Sequence, residues 1–534
     1  MKTFILFLLL TAACIPVISQ QPDFIIPLPD KFTKQDGSFS LDQYTPIVIR
    51  ESAFRDQANF LQQELLKRNG LTLAVQSQST VPSIVIDRLP GADNVKGEYK
   101  LSITPKEISI SARSQEGIFY GVTSLVQLIQ QSISKNATAL IPCWDIEDKP
   151  AFAWRGILLD ESRYFFGKET VKFILDWMAF YKLNRFHWHL TDDPGWRLEI
   201  KKYPKLGLVG GVGNYFDTLA AAKYYTQEEI KEIIAYAQQR FIEVIPEIDM
   251  PGHARGANKA YPQFSGGGSK QYPEFTFNPG REETYKYLTD ILKETNALFP
   301  SEMIHLGGDE VHFGNEQWNT NKDVQQLMKD KKLANLKAVE TYFIERMADS
   351  VVRMNNKALF WDEVAGSSFD PANSIIFWWR HDRAEQLKLA LSKGFTVVLT
   401  PRIPLYFDFV QDTMQRVGRR WKPDGSYSSL QLVYDFSPSR LYDAKHAPLV
   451  LGMQGSIWTE RISTTDKLEY MMFPRIAGLA EASWTAENKR KDFAGFSRRI
   501  EKHLELYRKH RLYFYNPFSP QENPEPIVPG FINR

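Results

Sequence analysis

Two adjacent carboxylic acids follow a pair of glycines in the segment His305-Leu306-Gly307-Gly308-Asp309-Glu310. Glycine has no side chain, so a Gly-Gly pair lets the backbone turn tightly and present both acids to one pocket. A solvated acidic loop is the alternative, but the preceding run is apolar and the residues that follow, Val311-His312-Phe313, are not typical of a loop. Asp309 and Glu310 are therefore candidate catalytic acids.

Histidines and acids also close two earlier apolar runs. One run ends in His187-Trp188-His189 and leads to Asp192, and the other ends in Glu247-Ile248-Asp249 with His253 close behind. His-x-His near Asp is a metal-ligand spacing seen in barrel amidohydrolases. Those enzymes need the pair on the first strand, a bridging Lys and further histidines, whereas later strands here end in Trp, Tyr, Asp and Glu. We therefore disfavour a metal centre and expect His253 to support a neighbouring carboxylate.

Aromatic residues recur at the ends of four later runs. The segments are Trp361-Asp362-Glu363, Trp378-Trp379-Arg380, Tyr406-Phe407-Asp408 and Trp458-Thr459-Glu460. One tryptophan at a strand end could simply pack in the core. Four strand ends in succession, each with a carboxylate or Arg close by, instead indicate a pocket with apolar walls and polar anchors, as a carbohydrate requires. Because side chains alternate along a strand, Trp379 rather than Trp378 is expected to line this pocket.

These motifs need a scaffold that brings strand ends together. After Pro150, eight short β-rich runs alternate with helical patterns. The runs are Arg155–Asp160, Arg185–Leu190, Glu243–Ile248, Met303–Gly307, Ala358–Asp362, Ser374–Trp379, Thr396–Thr400 and Leu449–Gln454. A closed (β/α)8 barrel needs eight strands, and the loops that follow them converge on one face. A doubly wound sheet has a similar rhythm, but the clustering of charged and aromatic residues after the runs favours the barrel.

A smaller unit precedes this region. From about residue 22 to 148 strand and helix patterns alternate as in an α+β domain, and Pro142 and Pro150 bracket an acidic connector. We therefore expect an N-terminal α+β domain over residues 20–148, a catalytic (β/α)8 TIM barrel over 149–505, and a helical, Pro-rich tail over 506–534 packed on the barrel. Gly266-Gly267-Gly268 is predicted to be a flexible loop.

The composition narrows the class of partner. In 534 residues, 65 Lys and Arg oppose 63 Asp and Glu, and the resulting net charge of +2 disfavours nucleic acid. Hydrophobic residues make up 43% of the chain and aromatic residues 13%, as in a well-packed globular protein without a membrane span. The composition carries no sign of an oligomeric state.

Residues 1–19 are predicted to be a signal peptide. Met1-Lys2-Thr3 is positively charged, and the apolar run after it is too short to span a bilayer. We expect secretion across the inner membrane to a periplasmic or extracellular location; Cys14 lies in a loose lipoprotein box, so lipid anchoring is the alternative. Removal of Cys14 would leave Cys143 without a disulfide partner, and we expect Cys143 to pack in the core. Asn136-Ala137-Thr138 is a glycosylation sequon.

At these residues the chain resembles a family 20 glycoside hydrolase, a β-N-acetylhexosaminidase. Seven separated motifs match in strand order between Arg155 and Glu460. The resemblance implies that Asp309 and Glu310 form the catalytic pair. It also implies a set of substrate-binding and supporting residues, namely Arg155, Asp192, His253, Trp361, Trp379, Tyr406, Asp408, Trp458 and Glu460. Arg155 would bind sugar hydroxyls. Tyr164 departs from the family pattern, because many relatives have His after the position of Arg163.

The same resemblance implies an exo-acting, retaining, substrate-assisted mechanism with no metal or organic cofactor. The 2-acetamido oxygen of a terminal β-linked sugar attacks the anomeric carbon, Glu310 protonates the leaving oxygen, and Asp309 holds the acetamido N–H. The expected partners are β-N-acetylhexosaminide glycans. GlcNAc or GalNAc preference, linkage and tolerance of sulfated sugars stay open. A non-catalytic sugar-binding protein on the same fold is the main alternative, but it would be expected to lack one of the two acids.

Overall fold

The N-terminal part of the chain folds around a seven-stranded mixed sheet. The computed structural model describes residues 22–92, 95–132, 138–490 and 492–531. The first elements are β1 (Lys31–Leu41), β2 (Ile47–Ile49), α1 (Arg55–Asn69), β3 (Val75–Gln76), β4 (Ser83–Arg88), β5 (Tyr99–Ile103), β6 (Glu107–Ala112), α2 (Gln115–Ser132) and β7 (Ala139–Asp148). The strand order is β1-β7-β5-β6-β4-β2-β3. Because side chains alternate along a strand, Ile108 and Ile110 of β6 are both buried.

The remainder of the chain builds a closed barrel. Its strands and the hairpin inserted among them are β8 (Trp154–Asp160), β9 (Arg185–His189), β10 (Glu243–Glu247), β11 (Ser265–Gly267), β12 (Thr276–Phe277), β13 (Met303–His305), β14 (Lys357–Trp361), β15 (Ser374–Trp378), β16 (Thr396–Leu399) and β17 (Val450–Ile457). All but β11 and β12 pair in parallel, in the order β8-β9-β10-β13-β14-β15-β16-β17, and β17 pairs with β8. The predicted (β/α)8 barrel preceded by a small α+β domain is confirmed.

Helices surround the barrel. They are α3 (Lys168–Phe180), α4 (Gln227–Gln238), α5 (Arg255–Ala260), α6 (Glu282–Leu298), α7 (Lys322–Lys331), α8 (Leu336–Val352), α9 (Ala384–Ser392), α10 (Arg402–Leu405), α11 (Leu430–Tyr434), α12 (Thr465–Met472), α13 (Arg475–Trp484) and α14 (Phe493–Lys509). On α6, Leu288, Ile291 and Leu292 are buried at helical spacing. Covered by these helices outside and by packed side chains inside, the strands are largely buried on both faces.

Side chains from alternate positions fill the barrel interior. Leu158, Ile245, Leu359 and Phe377 belong to one buried cluster on the axis. The carboxyl ends of the eight strands meet at one mouth of the barrel, where the charged and aromatic motifs follow them. The site therefore sits on a rigid core, and the loops only complete it.

The N-terminal domain is joined to the opposite end of the barrel by buried polar contacts. Lys182 Nζ lies 3.0 Å from Asp148 Oδ2, and both side chains are fully buried. The indole N–H of Trp484 donates to Asp148 Oδ1 at 2.9 Å. Breaking one member of such a buried ion pair costs about 3–5 kcal/mol, because the other charge is left without a partner. This interface therefore stabilises the barrel and is remote from the mouth.

Two predictions about local structure are wrong. The tail boundary at residue 506 falls inside α14, because this amphipathic helix continues to Lys509 and its Arg499 pairs with buried Glu481 at 2.6 Å. Of the Gly266-Gly267-Gly268 segment, the first two glycines belong to β11, which pairs with β12. Cys143 is buried. The predicted signal peptide with Cys14, and Asn136 of the sequon, lie outside the described residues. Among the described helices, none is long and apolar enough to cross a membrane.

Candidate active site

The two candidate acids lie in a tight turn directly after β13. Gly307 and Gly308 have φ angles of 67° and 88°. A Cβ atom on Gly307 would lie 1.8 Å from Asp249 Oδ1, so a side chain cannot fit there. Glu310 also has a positive φ of 52°, a strained conformation that costs of order 1 kcal/mol or more in a residue other than glycine. The turn directs both acids to the mouth, with side-chain exposures of 14% for Asp309 and 33% for Glu310.

His253 faces both acids from the loop after β10. Its Nε2 atom lies 3.6 Å from Asp309 Oδ2 and 3.9 Å from Glu310 Oε2. Its Nδ1 atom lies 2.7 Å from Asp192 Oδ1. Burial disfavours the charged imidazole, but Asp192 and Asp309 outweigh this effect and raise the pKa of His253 to about 9. His253 is therefore a cation at neutral pH and supports the neighbouring carboxylates.

The acid pair itself favours binding a proton. Burial raises the pKa of both Asp309 and Glu310, His253 opposes the rise, and the nearby Glu363 carboxylate adds to it. Asp309 Oδ1 is buried and makes no hydrogen bond to any residue that the structure describes. A buried oxygen of this kind is normally satisfied, so it is available to a ligand group with an N–H or O–H.

A buried network of histidines and acids lies beneath the pair. Glu247 accepts from His189 Nδ1 at 2.5 Å, and it contacts His187 Nε2 and His305 Nδ1 at 3.0 Å each. His189 Nε2 lies 2.7 Å from Asp192 Oδ2. These groups are close enough to hold a metal ion by distance alone.

In His189, hydrogen bonds to Glu247 and Asp192 nevertheless use both of the ring nitrogens that a metal would need. Burial opposes the charge on His189, but Glu247 and Asp192 outweigh it and raise its pKa to about 10, so its nitrogens carry protons. His187 contacts Gln454 through Nδ1 and Glu247 through Nε2. Around His189 the arrangement therefore suits a hydrogen-bonded network that orients Asp192.

Four aromatic side chains form the walls of the pocket. The ring of Trp361 lies 5.8 Å from that of Trp458, and Tyr406 lies 6.0 Å from Trp458. Trp379 stacks on Tyr406 at 6.1 Å with their planes 7° apart. Trp378, by contrast, belongs to the cluster on the helix side of the strands.

Buried acids fix two of these tryptophans. Trp361 Nε1 donates to Glu247 at 2.8 Å, and Trp379 Nε1 donates to Glu363 at 3.0 Å. Each bond fixes the orientation of one ring. The wall is therefore shaped before any ligand enters.

Charged residues line the side of the pocket near β17. Arg419 lies 3.2 Å from Asp408 Oδ2 through Nε and also forms an ion pair with Glu460. Burial raises the pKa of Asp408 to about 7, although Arg419 opposes the rise. Glu460 Oε2 is buried and makes no hydrogen bond to a described residue.

Arg163 contacts Asp192 Oδ2 at 2.7 Å through Nη2, and its guanidinium lies over the Trp458 ring.

Arg155 is not part of this site, so its predicted contact with sugar hydroxyls is wrong. It is the second residue of β8 and lies at the amino end of the barrel. Its guanidinium donates to Lys182 O at 2.9 Å, to Phe152 O at 2.8 Å and to Tyr120 OH at 2.7 Å. At roughly 3.3 Å per residue, five residues separate it by about 17 Å from the carboxyl end of the strand. Arg155 therefore joins the two domains.

The other predicted site residues lie together at the mouth of the barrel. The structure also brings to this mouth several residues that the sequence did not indicate. Arg163 follows β8 just as the chosen residues follow their strands, and that shared position could have identified it. Glu363 and Glu247 lie within the motifs described above, but the sequence predicts no role for either of them. Arg419 lies in the long connection between β16 and β17, far from any strand end. Nothing in its sequence neighbourhood marks it.

Comparison with known families agrees with this geometry. Residues 152–487 match the catalytic domain of glycosyl hydrolase family 20, and residues 23–149 match domain 2 of that family. The chain belongs to glycosyl hydrolase family 20. The predicted family is confirmed.

Individual relatives of this family 20 chain resemble it over most of its length. It is 33% identical to a β-hexosaminidase of Porphyromonas gingivalis over 93% of the chain, and it spans 65% of that relative. It is 30% identical to a β-N-acetylhexosaminidase of Cellulomonas fimi, covering 93% of the chain and 96% of the relative. The structure of an exo-β-N-acetylglucosaminidase from Vibrio harveyi in complex with N-acetylglucosamine superposes with a TM-score of 0.85 at 31% identity, covering 93% and 79% of the two chains.

Proposed function

We propose that this family 20 chain is an exo-acting β-N-acetylhexosaminidase that removes terminal, non-reducing β-linked GlcNAc or GalNAc from oligosaccharides or glycoconjugates. The observation that carries the proposal is the position of Asp309 and Glu310 after β13, beside a pocket walled by aromatic rings. The names of the relatives support the same activity. A non-catalytic binding protein is disfavoured because both acids face the pocket.

The terminal sugar is held by its hydroxyls on one side and by its acetamido group on the other. Asp408, Glu460 and Arg163 supply the polar groups on the hydroxyl side. The arginine that binds sugar hydroxyls is therefore Arg163 and not Arg155. The acetamido group lies within the aromatic wall, close to Asp309. A wall that excludes water and orients this group can contribute about 7–11 kcal/mol to lowering the barrier in favourable cases.

The reaction proceeds in two steps with retention of configuration. In the first, the acetamido oxygen forms a bond to the anomeric carbon while the glycosidic bond breaks, and Glu310 gives its proton to the leaving oxygen. In the second, water attacks the anomeric carbon of the oxazolinium, Glu310 takes a proton from this water, and the ring of the intermediate opens. Asp309 accepts the acetamido N–H throughout and stabilises the positive charge that develops there.

The electrostatics of the site suit these roles. Burial raises the pKa of both acids, so the pair binds a proton near neutral pH. The approach of an acetamido N–H favours the ionised form of Asp309, as does protonated His253 at 3.6 Å. The proton is then left on Glu310, which needs it as the acid.

Activity on a matched panel of aryl β-glycosides tests the proposal. The purified protein should cleave the GlcNAc and GalNAc glycosides, and it should not appreciably cleave the glucoside, which lacks the 2-acetamido group. A chelator should leave these rates unchanged. Comparable rates on the glucoside would overturn the substrate-assisted mechanism, and loss of activity with chelator would favour a metal-dependent hydrolase.

A further inference from the structure

A short turn with two exposed aromatic rings follows the acid Glu310. Residues Val311–Phe313 form a single 3₁₀ turn, in which the N–H of Phe313 donates to the carbonyl of Glu310 at 2.9 Å. Val311 is buried, whereas His312 is exposed and the Phe313 side chain is 40% exposed. The rings of His312 and Phe313 lie 4.3 Å apart. Packing in the core explains Val311 but not the two rings at the surface.

Tyr272 extends this aromatic surface. Its ring lies 5.7 Å from that of Phe313, with their planes 16° apart. Tyr272 also lies 5.5 Å from Phe275, whose ring packs 4.7 Å from that of His253. A continuous line of rings therefore runs from His253, which faces the two acids, to Phe313 at the surface.

The glycine-rich hairpin holds Tyr272 in place. Gly267 has a φ of 86°, which favours glycine, and it lies close to Gln317, because a Cβ atom there would be 2.1 Å from Gln317 Oε1. The same oxygen accepts from Gly268 N at 2.6 Å. Ser269 Oγ donates to the carbonyl of Phe313 at 2.8 Å. These contacts tie the hairpin to the turn after Glu310, so the two elements present one surface.

We propose that Tyr272, His312 and Phe313 bind the sugar ring on the leaving-group side of the scissile bond. The proposal rests on the proposed function, in which Glu310 protonates the oxygen carried by that ring. Glu310 is more exposed than Asp309, and the exposed ring of Phe313 lies on the turn that directly follows it. A second pyranose carried by the oxygen that Glu310 protonates would lie beside this turn, where its apolar C–H face can pack on an aromatic ring.

The test compares substrates with and without a second ring. Phe313→Ala and Tyr272→Ala are assayed on N,N′-diacetylchitobiose, on GlcNAc-β-1,3-galactose, and on GlcNAc β-fluoride, whose leaving group has no ring. We expect kcat/KM for at least one disaccharide to fall roughly three- to tenfold in each variant, while kcat/KM for the fluoride stays unchanged. Phe313→Tyr should restore the disaccharide value. Phe518→Ala is the matched control, because Phe518 is also 40% exposed and lies in the C-terminal tail.

Other results overturn the proposal. If the disaccharide and fluoride values fall by the same factor, Phe313 acts on Glu310 rather than on a second ring. Unchanged values for both disaccharides, or a wild type that cleaves the fluoride but neither disaccharide, also contradict it. The affinity of a thiazoline inhibitor, which fills only the terminal-sugar pocket, should be unchanged in both variants. Failure of the proposed function is distinct, since the wild type would then cleave none of the three substrates.

Discussion

The Nδ1 atom of His253 lies 2.7 Å from Oδ1 of Asp192, and both side chains are buried. The two residues come from loops after different barrel strands, β10 and β9. Asp192 keeps the imidazole protonated and turned toward the acid pair, and His253 in turn stabilises a carboxylate at Asp309. This relationship connects the buried network beneath the pocket to the residues that would act on substrate.

The charge on His253 makes stability depend on pH. Burial opposes that charge, but Asp192 and Asp309 outweigh the effect, so the folded pKa of about 9 lies above the ordinary value of 6.5. Protonated His253 therefore stabilises the fold fully below pH 6.5, and this contribution is lost as the pH rises through 9. Between pH 6.5 and 9.5 we expect the free energy of unfolding to fall by about 3 kcal/mol more in the wild type than in His253→Gln. Urea unfolding at both pH values measures this, and equal falls would contradict it.

Glu310→Gln removes the proton donor but keeps the shape of the side chain. Hydrolysis of substrates with poor leaving groups should be almost abolished, because their leaving oxygen needs a proton in the transition state. Substrates with good leaving groups should lose much less. Steady-state kinetics on aryl glycosides of graded leaving-group pKa measures the difference, and equal losses across the series would argue against the acid role.

Asp309→Asn removes the carboxylate that we place at the acetamido N–H. Turnover should fall by at least tenfold, because the positive charge on the oxazolinium loses its nearest anion. A thiazoline inhibitor that resembles this intermediate should bind more weakly. Calorimetric titration of the variant with the inhibitor is the direct measurement, and undiminished affinity would show that Asp309 does not contact the acetamido group.

Arg163 and Arg155 should respond differently to the same change. Arg163→Lys removes the 2.7 Å contact between Nη2 and Asp192 Oδ2 at the pocket, so kcat/KM should fall roughly tenfold or more. Arg155→Lys removes the contact with Tyr120 at the domain interface, so the free energy of unfolding should fall by about 2 kcal/mol while kcat/KM stays within about twofold of wild type. Denaturant unfolding and kinetics on one substrate separate the two effects. A kinetic defect in Arg155→Lys without loss of stability would restore Arg155 to the site.

Much of the fold could be predicted because its physical signals are local. A barrel strand is covered on both faces, so each of the eight appears in the sequence as a short apolar run, and all eight were located within a few residues. The turn at Asp309 was predictable for a similar reason, since Gly307 and Gly308 adopt backbone angles that favour glycine. The helix α14 was divided wrongly because a change in composition does not mark where a helix ends.

Residue types and their spacing were enough to predict the family and to place the two acids and the tryptophans at the barrel mouth, because these residues lie at or soon after the ends of strands that meet there. They were not enough to assign the arginines. Arg155 lies at the start of β8 and Arg163 just beyond its end, and only the direction and length of that strand place one at the domain interface and the other at the pocket. Arg419 and the ring of Phe313 acquire their neighbours through contacts between segments far apart in the chain. Such contacts depend on how the whole barrel closes, and no local pattern encodes them.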